Sequence, residues 1–345
     1  MPNLSKVNLF IVATPLQYLA AESVALNFGR NSRNCIFYTK PELSSLINNN
    51  KWHSVKKALA PKLQSRKKGV VRNLKIIRKN MELISEECEG CKEIRLHCAQ
   101  IFRPEQNYLI NFLRKRHLKA KFSVRIVPDG LLNVRRFPYK KRTILRRYYK
   151  NLFGLVFTDF KYYVFKGDRT GTDDKIVDII YMLPNFPHEY DEQKIVYLPS
   201  LVQSRKKVNF LPDVALVIGQ PLWGVGVMSR SDVASVGTGI FNLLKKEGFA
   251  KILYKSHPVD KNMEFNSDKY EELKLNETLE EHLSYNQYAM IIGVCSSALL
   301  TAKTIVPETT RVISYGMNKC HFADDEEKNK ILNPFQKMKV ELLDG

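Results

Sequence analysis

Asn8-Leu9-Phe10-Ile11-Val12-Ala13-Thr14-Pro15-Leu16-Gln17 decides the fold class. The uncharged run Asn8 to Ala13 reads as a buried strand. Thr14 is placed to cap a helix, and Pro15 suits the first turn of that helix, where a missing N–H costs nothing. Leu16, Leu19, Ala20 and Val24 then follow at helical spacing. A buried strand passing directly into a capped helix is the unit of α/β proteins. Working outward, Cys35 to Thr39 is predicted as the second strand and basic helical segments follow it. Phe122 to Val127 is predicted as a further strand that stops abruptly at Pro128-Asp129-Gly130.

The pattern pauses between Tyr181 and Pro212, where Pro184, Pro187, Pro199 and Pro212 leave little room for helices, and a domain junction is expected there. The chain has 345 residues, which at about 150 per domain also argues for two domains. The expected division is 1–190 and 191–345, with the last residues packing back on the first domain. The second half repeats the unit. Val214 to Ile218 is a predicted strand into Gly219-Gln220-Pro221; Ser231 or Asp232 is expected to cap a helix running to Glu247 and ending at Gly248. Lys251 to Lys255 is a predicted strand into Ser256-His257-Pro258, and Tyr288 to Ile292 another, leading through Gly293 to Ser296 and Ser297 at the start of a helix.

Hydrophobic residues make up 44% of the chain, with only 16 Gly and 15 Pro, which excludes collagen-like and disordered classes. The formal net charge of +20 calls for an anionic partner: nucleic acid, an anionic membrane face or a polyanionic substrate. The excess is blocky. Lys51 to Lys79 and Arg135 to Lys150 contain no acidic residue, and the second run sets Phe137, Tyr139, Tyr148 and Tyr149 among basic side chains. A basic outward face including Lys140, Lys141, Arg142, Arg146 and Arg147 is expected on the first half, available to anionic headgroups. A nucleic-acid-binding protein is the competing class, but no helix-turn-helix, finger, RNP or KH signature supports it, and no nucleic-acid partner is expected. The run Leu9 to Ala13 is too short for a signal-peptide core, and the longest uncharged stretch, Ser284 to Ala302, carries Asn286, Gln287, Ser296, Ser297 and Thr301, so no transmembrane helix is expected. Six cysteines without a secretory signal are expected to be reduced thiols in the cytoplasm. Cys88, Cys91, His97 and Cys98 could be read as zinc ligands, but adjacent His97 and Cys98 would point to opposite faces of a strand, and no metal site is expected.

Thr14-Pro15, Asp129-Gly130, His257-Pro258 and Ser296-Ser297 each follow directly on a predicted strand. In open parallel sheets ligands bind beyond the carboxyl ends of the strands. Two such sheets facing each other would bring a carboxylate, an imidazole and a helix N-terminus together, and the last of these binds phosphate. That set suits group transfer from a donor whose leaving group is a phosphate. There is no Walker loop, no dinucleotide fingerprint and no Asp-x-Asp metal clamp.

Asp129-Gly130, His257-Pro258 and Ser296-Ser297, in this order, resemble the carboxylate-Gly, His-Pro and Ser motifs of bacterial sialyltransferases and polysialyltransferases. Thr14-Pro15-Leu16-Gln17, Gly219-Gln220-Pro221 and the basic, Tyr-containing run after Asp129 look most like glycosyltransferase family 52, the lipooligosaccharide sialyltransferases. The resemblance covers about residues 8 to 303. It implies a GT-B type α/β fold, two Rossmann-like domains facing across a cleft, the first on the acceptor side and the second binding the nucleotide sugar. It implies an inverting transfer of sialic acid from CMP-sialic acid to a hydroxyl of a glycan or glycolipid acceptor (lipooligosaccharide, O-antigen or capsule), with no metal or other cofactor. Asp129 would be the base, His257 the acid or cation facing the departing phosphate, and Ser296 and Ser297 its holders. Pro258, Gly219, Gln220, Thr14 and Gln17 would complete the binding set. Glu281 is the nearest match to the Glu that holds the cytosine or ribose, with Glu280 beside it. Where the family often has two acids before the Gly, Pro128 stands here, leaving Asp129 alone. The enzyme would sit peripherally on the inner face of the bacterial inner membrane, and a GT-B transferase of another sugar is the nearer alternative.

Overall fold

The computed structural model describes residues 5–59, 70–130, 136, 138–153, 159–202, 208–257, 260, 262–265 and 268–345. The chain divides into two compact units, Met1–Leu183 with His188–Leu201, and Pro184–Pro187 with Val202–Gly345.

In the first unit the strands are β1 (Lys6–Val12), β2 (Arg33–Tyr38), β3 (Ser54–Lys57), β4 (Glu93–Cys98), β5 (Lys121–Ile126), β6 (Val177–Met182) and β7 (Ile195–Tyr197). They form one sheet in the order β3-β2-β1-β4-β5-β6-β7, every pairing parallel. Its helices are α1 (Pro15–Phe28), α2 (Val70–Glu86), α3 (Pro104–Arg116) and α4 (Lys141–Phe153). The central strands are apolar on both faces, with Val7, Leu9, Phe10, Ile36, Phe37, Ile94 and Leu96 fully buried. Three buried polar groups among them are linked to one another. Asn8 Nδ2 donates to Asn34 Oδ1 at 2.8 Å, and Asn8 Oδ1 lies 3.3 Å from His97 Nε2, tying β2, β1 and β4 together inside the core. Burial, reinforced by Arg125 and Arg95, holds His97 well below its ordinary pKa, so the imidazole stays neutral.

The expected basic face needs one correction. Arg147 is buried, its guanidinium carbon 4.7 Å from the Phe102 ring centroid, 4.8 Å from Tyr162 and 5.1 Å from Tyr139. Its Nη2 donates to the Phe102 carbonyl at 2.5 Å. Aromatic faces attract a cation that burial has stripped of water, which is why this Arg turns inward while its neighbours do not.

The second unit holds β8 (Asn209–Ile218), β9 (Lys251–Lys255), β10 (Glu271–Glu272), β11 (Asn286–Gly293), β12 (Arg311–Tyr315) and β13 (Glu341–Leu343), ordered β10-β9-β8-β11-β12-β13 and again all parallel. Its helices are α5 (Arg230–Lys246), α6 (Leu279–Leu283), α7 (Ser297–Lys303) and α8 (Asp325–Lys337). Strand β8 begins five residues before the predicted strand. Its pairing to β11 shifts register between Tyr288 and Met290, opposite the segment that holds Pro212, a residue with no N–H to give the ladder. The cap of α5 is Ser229 rather than Ser231 or Asp232: its hydroxyl accepts from the Asp232 amide at 3.1 Å and donates to the Asp232 carboxylate. Gly248, at φ +77°, closes that helix in the left-handed conformation. Each sheet therefore reverses its strand order once, between β1 and β4 and between β8 and β11, which is the arrangement of a dinucleotide-binding fold.

Candidate functional site

In the first unit, three of the sequence-picked residues meet where the strand order reverses. Thr14 caps α1, its Oγ1 accepting from the Gln17 amide at 3.2 Å. Gln17 Oε1 accepts from the Ala13 amide at 2.7 Å, which fixes the buried side chain over the end of β1. Asp129, just beyond β5, receives hydrogen bonds from Thr14 Oγ1, at 3.5 Å, and from the Gln17 side chain. Gly130 follows at φ +58°, a turn that points the chain away immediately after the carboxylate. Burial raises the Asp129 pKa and outweighs, in order, the Gln17 hydrogen bond, the Arg103 charge, the Thr14 hydrogen bond and the Lys40 charge. A carboxylate moved upward in this way is a better proton acceptor near neutral pH than an ordinary Asp.

Asp129, Thr14 and Gln17 line a cavity of about 260 Å³. Ile77, Met81 and Ile84 of α2 and Leu109 of α3 make one wall apolar, while Lys40, Gln100 and Arg103 stand on the polar side. Glu105 Oε2 and Gln106 Oε1, also on the lining, are buried with no hydrogen-bond partner among the described residues. Buried acceptors of this kind can take hydrogen bonds from a donor entering the cavity. Sequence reading missed Lys40, Gln100, Arg103, Glu105 and Gln106. Four of them follow β4, a strand it did not predict, so their place beyond a strand end was invisible.

In the second unit, Gly219 ends β8 with its amide on the Lys255 carbonyl at 2.9 Å, and a Cβ there would lie 2.2 Å from the Tyr254 hydroxyl. Only Gly permits that approach of β8 to β9. Gln220 spans the strand-order reversal: its buried Oε1 accepts from the Val294 amide at 3.2 Å and the Cys295 amide at 3.1 Å. It thereby sets the loop that delivers Ser296, whose Oγ accepts from the Ala298 amide at 3.2 Å as the cap of α7. Ser297, the first residue of α7, is half-buried. His257 lies two residues past β9 and is exposed, its carbonyl accepting from the Asp260 amide at 2.9 Å. Lys255, at the end of the same strand, has its pKa lowered by burial. Pro258 lies outside the described residues.

The two glutamates differ in what they touch. Glu281 accepts from the Thr278 amide at 3.1 Å and from its Oγ1 at 3.2 Å, while Thr278 Oγ1 accepts from the Glu281 amide at 3.1 Å, closing a capping box at the start of α6. Burial raises the pKa of Glu280, whose carboxylate, among the described residues, is given a hydrogen bond to its own amide. Of the two, it is Glu281 that the cap engages.

No curated protein matches the chain. The family model described as alpha-2,8-polysialyltransferase matches residues 8–315. Among solved structures, the glycotransferase of kitacinnamycin is 10% identical with a TM-score of 0.54, over 98% of this chain and 86% of that one. UDP-GlcNAc 2-epimerase from Neisseria meningitidis bound to UDP-GlcNAc is 11% identical with a TM-score of 0.51, over 97% of this chain and 94% of that one. Likeness at such identity speaks for the fold alone, and the fold is α/β of the GT-B type with two Rossmann-like units.

Proposed function

The chain belongs to the alpha-2,8-polysialyltransferase family, and we propose that it transfers sialic acid from CMP-sialic acid, with inversion, to a hydroxyl of a sialylated bacterial surface glycan. Membership makes it a glycosyltransferase of the sialyl-transfer type, working with a nucleotide-sugar donor and a glycan acceptor. The observation that carries the finer reading is the clasp of Asp129 by Thr14 and Gln17 on the wall of the first unit's cavity. As the acceptor oxygen bonds to the anomeric carbon, Asp129 takes its proton, and the bond from that carbon to the CMP phosphate oxygen breaks on the opposite face. One displacement of this kind inverts the centre. Lys40 and Arg103 complement a carboxylated acceptor, while Glu105 Oε2 and Gln106 Oε1 accept hydrogen bonds from its hydroxyls. The motifs shared with family 52 favour lipooligosaccharide, O-antigen or capsule as the glycan.

The second unit supplies the donor half. His257, with Lys255 behind it, balances the charge that develops on the departing phosphate, Ser297 hydrogen-bonds that phosphate, and Ser296 and Gln220 hold the loop in shape. The reaction as proposed needs no divalent metal, because the chain has no Asp-x-Asp clamp and the leaving group carries a single phosphate. The deciding experiment offers CMP-sialic acid, UDP-sugars and GDP-sugars with an oligosialic acceptor, in EDTA and in magnesium. CMP release with chain extension, equal in both buffers, is the expected result; turnover of UDP- or GDP-sugars instead would overturn the donor, and rescue from EDTA by magnesium would overturn the metal-free reaction.

The glutamates give a separate test. Glu281→Ala should lower stability by about 1 kcal/mol through loss of the capping box and leave CMP affinity near wild type. Glu280→Gln should leave the melting temperature unchanged or higher and weaken CMP binding about tenfold. Titration calorimetry and thermal melts on both variants check this, and the reverse pattern would return the nucleotide to Glu281.

For its location we propose the periphery of the inner face of the inner membrane, where lipid-linked acceptors are made. No helix among the described residues is long and apolar enough to cross a membrane. The placement rests on the basic residues of the first unit.

A further inference from the structure

Helix α4 has one buried face and one that nothing among the described residues covers. The inner side is fixed by Arg147 in its aromatic cage and by Asn151, whose amide group exchanges hydrogen bonds of 2.7 and 2.8 Å with the Tyr162 backbone. On the outer side Leu145, Tyr148, Tyr149 and Leu152 are 55%, 52%, 51% and 64% exposed. Their spacing of three, four and seven residues makes them a single stripe along the helix. Alongside it Arg142, Arg146 and Lys150 recur every fourth residue, all exposed, with Lys141 also exposed at the start of the helix. No Asp or Glu occurs between Asp129 and Asp159. Among the described residues Lys141, Arg142 and Arg146 take part in no ion pair.

We infer that α4 is a membrane-docking helix, whose Leu145/Tyr148/Tyr149/Leu152 stripe enters the headgroup layer of an anionic bilayer while Arg142, Arg146 and Lys150 hold its headgroups. The two stripes together select the occupant. A soluble polyanion would use the cations and leave two leucines in water. A second copy of the helix would cover the leucines and press like charges together. An anionic lipid surface matches both, with phosphate at the level of the cations, apolar chains beneath, and tyrosine suited to the boundary between them. Phe102, whose carbonyl holds Arg147, is the chain neighbour of Arg103 on the cavity wall, so the short segment that anchors the helix also lines the acceptor cavity. Docking through α4 would bring that cavity to the surface on which a lipid-borne acceptor lies.

This mode of docking rests on the peripheral placement proposed above, and two variants separate them. The probe is co-sedimentation of the full chain with vesicles of phosphatidylcholine alone or mixed with phosphatidylglycerol, at low and high salt. Wild type should bind only the mixed vesicles, and less at high salt. Arg142→Gln/Arg146→Gln/Lys150→Gln should lose about a hundredfold in partitioning. Leu145→Ser/Tyr148→Ser/Leu152→Ser should lose at least about tenfold and retain the salt dependence. Both variants should melt within about 2 °C of wild type and turn over a short soluble acceptor at the wild-type rate, because these side chains are exposed and only Lys150, its Nζ 5.7 Å from the Tyr162 ring centroid, is given a contact with the unit among the described residues. Loss in the cation variant with no change in the apolar variant would leave peripheral placement standing and overturn insertion. Absence of binding by wild type would overturn both. A wild-type dimer in light scattering that the apolar variant dissolves would make the stripe a self-interface and overturn the lipid assignment.

Discussion

Asp129→Asn should lower kcat for sialyl transfer by at least about a hundredfold while CMP binds with near wild-type affinity. A sugar hydroxyl is a weak nucleophile, and a positioned carboxylate that removes its proton in the transition state is worth about 10²- to 10⁴-fold. Asn keeps the shape, and its amide oxygen can still accept from Thr14 Oγ1 and the Gln17 side chain, so the clasp survives without the base. The fold should not suffer. Because burial raises the Asp129 pKa, the folded chain favours the protonated form, and the stability this group contributes is fully present below its unfolded pKa of about 3.9 and is lost as pH rises through the folded value. Asn is neutral throughout and avoids that loss. Its melting temperature at neutral pH should therefore equal or exceed that of wild type by up to about 4 °C, with the gap closing in acid. Wild-type transfer should correspondingly fall away on acidification at a higher pH than an ordinary Asp would give. Near-normal turnover by Asp129→Asn would place the base elsewhere.

His257→Ala should slow transfer by about a hundredfold or more and also weaken CMP binding about tenfold, a double effect that distinguishes a group on the leaving phosphate from the base. His257 stands exposed past β9, so truncation removes no core packing and the melting temperature should stay within about 1 °C of wild type. His257→Lys retains a cation and should recover part of the binding without the full rate. Isothermal titration with CMP, paired with single-turnover transfer, checks both. If CMP affinity is untouched while transfer falls, His257 acts on some other atom than the phosphate.

The features legible in the sequence are those whose causes are local. Thr14 and Pro15 announce the start of α1 because a hydroxyl cap and a ring that needs no N–H act within one helical turn. Lys251–Lys255 is found to the residue, since an apolar run between Gly248 and Ser256-His257-Pro258 has nowhere else to go. The Thr278-x-x-Glu281 box is equally local, since a capping hydroxyl and the carboxylate three residues on meet within one helical turn. Strand β4 escaped because Glu93, Arg95 and His97 alternate with its apolar residues and resemble a solvated stretch. Glu93 and Arg95 instead pair at 2.7 Å, and His97 Nε2 meets Asn8, a residue on another strand. Arg147 was placed on the surface with its basic neighbours because the rings that enclose it, Phe102, Tyr162 and Phe165, are contributed by other segments.

By itself the sequence determined the α/β units and the residue types that end their strands, because caps, prolines, glycines and apolar runs exert their effect over a few residues. Which of those ends meet was decided only by tertiary structure. Asp129 has the dipeptide of a common turn; its pKa is raised by burial, and its carboxylate is held by Thr14, 115 residues away along the chain, and by Gln17. Desolvation and hydrogen bonding act through space over a few ångströms, and it is the strand order, not the spacing in sequence, that sets those distances.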